Sequence, residues 1–323
     1  MALSKRRGIA LIVVLLAMAV IVPLTIQFNR AVRLEIYEAS NLGETLRLHY
    51  AARSGFNLGW ASLASDKGTF DALNEDWADQ GALNDAARRL FDNAEVRVVV
   101  EDEGGKIPLN QLVKNNVVNG EVREMLLRLL TLPEFRLEPE QALALVNAIK
   151  DWVDKDDVVT ETGAETPYYA NLPRPYRAKN GPLESLEELL AIKGVTKELY
   201  YGTEDAPGLV SCLTLYGTGA KININTAPRL VLQILSKDMT AEMIEEMDEY
   251  RRDPQNDLAS PSWFRKLGSM RDVNVTTGWI EVKSDVFRIS AQGKSGGMTE
   301  TVSGVVYRDR NKQILRPLSW RFF

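Results

Sequence analysis

Residues 6–24 read RRGIALIVVLLAMAVIVPL: two arginines and a glycine, then a run that stays uncharged as far as Asn29. From residue 9 to residue 28 nearly every side chain is apolar, which meets the ~20 residues a helix needs to cross a bilayer. Lys5, Arg6 and Arg7 stand on the amino side, and the cytoplasmic bias of such charges sends the carboxyl end across the membrane. A cleavable secretory signal closes its apolar core after ~7–15 residues at a small-residue site with polar surroundings. Here Ala17, Met18 and Ala19 are followed by Val20 to Leu24, still apolar, so the run reads as a retained anchor. Beyond it Val32, Ile36, Ala39, Leu42, Leu46 and Tyr50 recur at three- and four-residue steps between charged positions. That period predicts one helix that leaves the bilayer and lays this stripe on the body, with Pro23 as a point of kinking.

The rest of the chain has the make-up of a folded protein. Its 323 residues are 45% hydrophobic and 26% charged, enough for one large or two ordinary domains. The formal net charge is −5, and removing residues 1–8 with their three cations leaves −8. Such a body repels phosphate backbones, so nucleic acid is not the expected partner. The single cysteine, Cys212, forbids an internal disulfide and a cysteine metal cluster, and its apolar neighbours make it a small buried hydrophobe. The single histidine, His49, removes histidine zinc sites and reads as a surface residue on the helix.

Alternation in EVRVVVEDEGGKIPLN, residues 95–110, predicts a strand with a turn at Gly104 and Gly105. Residues 279–310 predict two or three more strands, with a glycine-rich hairpin turn at 293–297, and the two regions are expected to share one antiparallel sheet. Between them EVREMLLRLL, EQALALVNAIKDWVD, ESLEELLAIKG, APRLVLQILSK and AEMIEEMDEYRR carry helical periodicity. The fold class is therefore α+β, with a large α-helical domain inserted into a sheet domain. Two echoing stretches, KIPLN at 106–110 and KININ at 221–225, each read as a short extended piece ending in an asparagine, Asn110 or Asn225, that caps the next helix-forming segment.

The opening stretch resembles the class III leader of type IV pilin-like proteins, in which a short basic segment ends in glycine and is cut just before the apolar helix. On that pattern cleavage falls between Gly8 and Ile9. Pilin-like subunits usually carry Glu at mature position five, paired with the terminal ammonium of the subunit above; that position here is Val13. A carboxylate inside a membrane costs ~2.5–3.5 kcal/mol on insertion scales unless it is paired, so Val13 suits a subunit with none above it. EDEGGKIPLN (101–110), DWVDKDD (151–157), GAETPYY (163–169), NGPLESLEELLAIKGV (180–195) and KININTA (221–227) resemble, in order and spacing, the type II secretion minor pseudopilin K family. Pro108 departs from it, standing where that family often has Asn.

The resemblance implies a non-enzymatic, single-pass inner-membrane subunit with its body in the periplasm. It would be trimmed by a prepilin peptidase and placed at the tip of a pseudopilus beside minor pseudopilins I and J. It further implies a division into a leader (1–8), a transmembrane helix (9–28) and a stalk with the first part of a pseudopilin domain (29–110). An inserted helical domain (111–275) and the last pseudopilin strands (276–323) would complete it.

For chemistry, the end of EQALALVNAIKDWVD gathers Asp151 and Asp154, then Asp156 and Asp157, where the helix dipole is already negative. Asp154, Asp156 and Asp157, with Glu161 or Glu165 from the return of the loop, supply the hard oxygens that calcium takes, and the family resemblance implies such an ion. The loop is not an EF-hand, since Val159 occupies the position that needs glycine, and a solvated acidic turn is the competing reading. LESLEELLAIKGV and INTAPRLVLQIL also resemble pieces of helix-hairpin-helix modules, which would make the chain an anchored DNA receptor. Those hairpins need two glycines, whereas Lys193-Gly194-Val195-Thr196 has one and the second candidate none. No nucleophile-and-base motif or phosphate loop occurs, and Glu187 with Glu188 reads as a solvated helix face. Tyr168, Tyr169 and Tyr176, among prolines, read either as a contact patch or as packing of an irregular loop.

Overall fold

The computed structural model describes residues 6–91, 95–204, 206–217 and 219–323, with the side chains of residues 6–8 left aside. Residues 1–5 of the expected leader lie outside the described residues. The chain opens with one helix, α1 (Arg6–Ser65), which contains Pro23 and does not stop at the end of the apolar run. A short helix α2 (Gln80–Leu90) follows, its first turn capped by Asp79, whose Oδ1 accepts from the Ala82 amide at 3.0 Å.

Four strands, β1 (Glu95–Asp102), β2 (Val286–Ser295), β3 (Met298–Asp309) and β4 (Ile314–Phe322), form one antiparallel sheet in the order β1-β2-β3-β4. β1 pairs with β2 from Glu95 opposite Lys294 to Asp102 opposite Phe287, so pieces of chain almost two hundred residues apart meet as the sequence predicts. The hairpin between β2 and β3 turns on Gly296 and Gly297, at φ +53° and +87°, the doubly left-handed pair that matches strand twist. On β1 alternate residues Val96, Val98 and Val100 point into the core. The outer edge of β1 is covered by α2, where Asn84 Oδ1 accepts from the Val98 amide at 2.7 Å.

The face of α1 that packs on this sheet is not the predicted one. Ile36, Leu42, Leu46 and Tyr50 are all exposed, and the body instead receives Leu48, Ala51, Ala52, Phe56 and Leu63. Gly55 and Gly59 lie on the same line, and a Cβ added at either would stand 2.8 Å from a sheet side chain, Val96 at the first and Ile289 at the second. Small residues at these steps let helix and sheet approach more closely than a Leu or Ile stripe allows, and that decides the packing face. His49 sits beside this contact, its ring stacked on Phe322 at 4.1 Å.

A second core, spanning residues 107–282 with Ala72, is separate from the sheet core. It is built on α3 (Gly120–Leu130), α4 (Pro139–Val153) and α5 (Ala241–Arg252), capped by Asn119, a Glu138–Gln141 box and Thr240. Two predicted helices are shorter: 184–194 forms only a 3-10 turn at Leu186–Ala191, and 227–237 only Arg229–Gln233. The two echoing stretches enter two-residue parallel pairs, Ile107-Pro108 with Leu213-Thr214 and Ile222-Asn223 with Ile280-Glu281. Their asparagines cap no helix. Asn110 bridges the Leu183 and Leu215 carbonyls and the Leu183 amide, while Asn225 joins the Leu258 carbonyl to the Trp263 indole at 2.7 Å. Each satisfies buried loop backbone, which a non-helical crossing otherwise leaves unpaired.

The sheet unit and the inserted unit meet at a buried polar joint. Asp102 Oδ2 accepts from Asn223 Nδ2 (2.9 Å), Thr226 Oγ1 (2.6 Å) and Ser284 Oγ (2.6 Å), and its Oδ1 from the Gly104 amide (2.6 Å). Burial, with Asp71 close by, pushes the Asp102 carboxyl up to about 6. Asp71 itself is ion-paired to Arg308 and Arg310.

Candidate functional site

Two features stand apart from ordinary packing. The first is the free length of α1: from residue 9 to residue 43 no residue is buried, Val32 alone is half-buried, and no charge occurs before Arg30. Ile9 and Val13 are 63% and 59% exposed on it, and Gly8 lies within the same helix. Exposed apolar surface of this length is unstable in water and is stable against lipid or other apolar helices.

The second is an acidic pocket at the carboxyl end of α4. Asp151 lies in the last turn of α4 and Asp154, three residues on, is its C-cap, and the loop brings Glu165 back to them. All three are buried, and a carboxylate oxygen from each lies within 4.8 Å of the others. Among the described residues these are the grouped acids of this loop, and Asp156, Asp157 and Glu161 are elsewhere. Asp156 ties down the Val158 amide and Asn116, Asp157 accepts from Asn180 Nδ2, and Glu161 is exposed at φ +46°. Asp151, which the ligand set of the sequence reading omits, has a signal in its spacing: it continues the buried line of Leu145 and Ala148.

The loop is held in place from outside. Lys193 donates to the Thr162 and Gly163 carbonyls at 3.2 and 3.1 Å and lies 5.0 Å over the Tyr168 ring. The lysine of the hairpin-like KGVT turn is thus engaged within the fold rather than offered to phosphate. Asp151 takes the Thr160 amide on both oxygens, at 3.2 and 3.0 Å, and a Cβ at Gly163 would strike Asp151 Oδ2. Tyr169 is fully buried, edge-on to Trp152 and stacked on Tyr176, while Tyr168 stays exposed, so the tyrosines pack this loop. Glu188 caps the Glu184 and Ser185 amides and pairs with Lys179 at 2.9 Å.

Around Glu165 the electrostatics are one-sided. Burial, and then the charges of Asp151 and Asp154, push Glu165 up to about 7. Asp154 is raised by burial despite its bond to Lys150. Both Glu165 oxygens and Asp154 Oδ1 are buried and accept no hydrogen bond from any described residue. Buried carboxylate oxygens without donors are the environment that suits a hard cation, so the donor set fits calcium.

Comparison with known proteins gives a consistent result. A family profile described as "Type II secretion system (T2SS), protein K" matches residues 105–204. The chain is 27% identical over 308 residues to the type II secretion system protein K of Pectobacterium carotovorum subsp. carotovorum, covering 91% of this chain and 90% of that one. It is 30% identical over 208 residues to the protein of the same name from Aeromonas hydrophila, 61% of either chain. Its fold matches a chain in the crystal structure of the GspK-GspI-GspJ complex from enterotoxigenic Escherichia coli, with a TM-score of 0.68 at 18% identity, over 88% of this chain and 99% of the other. Sequence likeness along almost the whole length, carried on the same fold, makes this chain similar to the type II secretion system protein K proteins and supports a role as a minor pseudopilin of that system.

Proposed function

We propose that this minor pseudopilin caps the tip of a short periplasmic pseudopilus. Residues 9–28 anchor it in the inner membrane, and a prepilin peptidase cuts between Gly8 and Ile9. Its partners there are the minor pseudopilins I and J, the companions named with the similar fold. The observation that carries this reading is the unburied, uncharged length of α1, which finds no partner among the described residues of its own chain. Inside the bilayer such helices associate by close packing, and outside it by apolar burial. Val13 agrees with the end position, because an acid there needs an ammonium from a subunit above. The inserted unit adds a second core to the sheet unit, and the bulk it brings suits an end better than an interior position. Its role is structural, and a calcium ion held by Asp151, Asp154 and Glu165 would lock the loop of that unit.

The test is the amino-terminal residue of the mature protein. Ile9 is expected; Met1, or a start after Ala19, would remove the leader assignment. In cells, Val13→Glu is expected to lower secretion by displacing the subunit from the end, and a variant that secretes as well as the parent would overturn the tip argument. Calcium added to the chelator-treated chain should raise its melting temperature, and an unchanged melting curve would reject the ion.

A further inference from the structure

Lys150 stands inside the acidic pocket. Its ammonium lies 2.5 Å from Asp154 Oδ2, 2.6 Å from Thr160 Oγ1 and 3.4 Å from Asp151 Oδ1, so it bridges two of the three grouped carboxylates. Glu165 takes no share in it: both of its buried oxygens lack a donor among the described residues, as does Asp154 Oδ1. One cation therefore serves two of three acids and leaves the third unanswered.

A divalent ion bound by Asp151 and Asp154 together takes their oxygens at ~2.3–2.6 Å. It must then sit within a few ångström of the point where the ammonium stands. Two positive centres that close, in a pocket walled by buried side chains, repel strongly, so lysine and ion exclude each other. Lys150 has somewhere to go. Its side chain is 21% exposed, against 0% for Asp151 and 3% for Asp154, and a flexible four-carbon stem lets the ammonium swing to water while the stem stays packed.

We infer that Lys150 is a built-in counter-ion that holds the acidic loop in the ion-free chain, and that a divalent cation enters only by displacing it. The inference rests on the calcium reading above and adds an exchange to it. Charge dictates two consequences. The ion-free loop stays folded because an internal cation already pairs two of its acids, and the affinity for the ion is lower than the same carboxylates would show without a competitor.

The test uses the full-length chain in detergent, stripped with chelator and titrated calorimetrically with calcium chloride, as wild type, Lys150→Met and Lys150→Arg. Lys150→Met keeps the stem and removes the charge. It is expected to bind calcium about tenfold more tightly or better, and to melt below wild type when ion-free. Lys150→Arg, which keeps a cation, should stay closer to wild type. Calcium binding by Lys150→Met alone also supports the exchange. If wild type binds calcium and Lys150→Met binds it equally or more weakly, the exchange is wrong and the calcium site stands. If neither binds, both fail. Amine acetylation of the wild-type chain read by mass spectrometry gives a check that needs no variant. Calcium should raise the labelling of Lys150 several-fold, and unchanged labelling on a chain that binds calcium would overturn the exchange.

Discussion

One helix, α1, has two fates. Its first part, residues 9–43, is nowhere buried and carries no charge before Arg30; its last part, residues 48–63, is locked onto the sheet. Both parts carry large aliphatic residues at helical spacing, so hydrophobicity does not separate them. The small residues do: Ala51, Ala52, Gly55 and Gly59 make a line along which the sheet comes close, and Phe56 then fills the remaining space against Trp320, at 4.2 Å between rings. A helix buries the stripe that its neighbour's surface fits, and Leu42, Leu46 and Tyr50 are left exposed.

The comparison breaks most severely at Phe56. Phe56→Ala leaves a cavity between helix and sheet and is expected to cost about 3–5 kcal/mol, read from thermal or denaturant unfolding of the detergent-solubilised chain. Gly59→Leu attacks the same contact by overpacking against Ile289 and Val100, for about 1–3 kcal/mol and earlier proteolysis between helix and body.

Titration sharpens the contrast. The first part of α1 has no ionisable group from residue 9 to residue 29, so its helicity should not respond to pH between 4 and 7. The body does respond, through Asp102, whose carboxyl is raised by burial from 3.8 to about 6. A raised folded value means that the native state holds the proton more tightly. The stabilisation is complete below pH ~4 and is lost as pH rises through about 6, on the order of 3 kcal/mol. Asp102→Asn cannot lose that proton. It should be less stable than wild type at every pH, because both carboxylate oxygens accept hydrogen bonds and the amide nitrogen that replaces one of them cannot, but the gap should narrow from pH 4 to pH 7 in melting experiments. A gap that widens would refute the assignment. The smallest stability effect belongs to Leu46→Ala, within about 0.5 kcal/mol of wild type because the side chain is half exposed, with the loss appearing instead in copurification with partner pseudopilins.

These residues also mark how far a linear reading reaches. The long apolar amino-terminal helix, the valine alternation of β1, the Gly296-Gly297 hairpin, and helices α3, α4 and α5 follow from patterns a few residues wide, and all are in place. The site is half legible. Asp154 and Glu165 are in the pocket, but Asp156 and Asp157 tie down loop atoms, Glu161 accepts from Asn147 Nδ2 of α4 at 3.4 Å, and Asp151 enters through the buried face of α4. Loop acids look alike in sequence, and burial by distant residues such as Lys193 and Tyr169 separates them. Asn110 and Asn225 make the same point: helix capping is a local bond, whereas their partners, Leu183, Leu215, Leu258 and Trp263, lie tens of residues away.

From the sequence alone came the uncharged apolar run, the strand and helix periods, and the order of a sheet interrupted by helices, because backbone geometry and side-chain spacing are set by near neighbours. The tertiary structure decided which stripe of α1 is covered, which acids share a pocket, and that a lysine sits among them. Each of those outcomes depends on the shape and charge of a surface supplied by a remote part of the chain, and spacing along the chain carries no record of it.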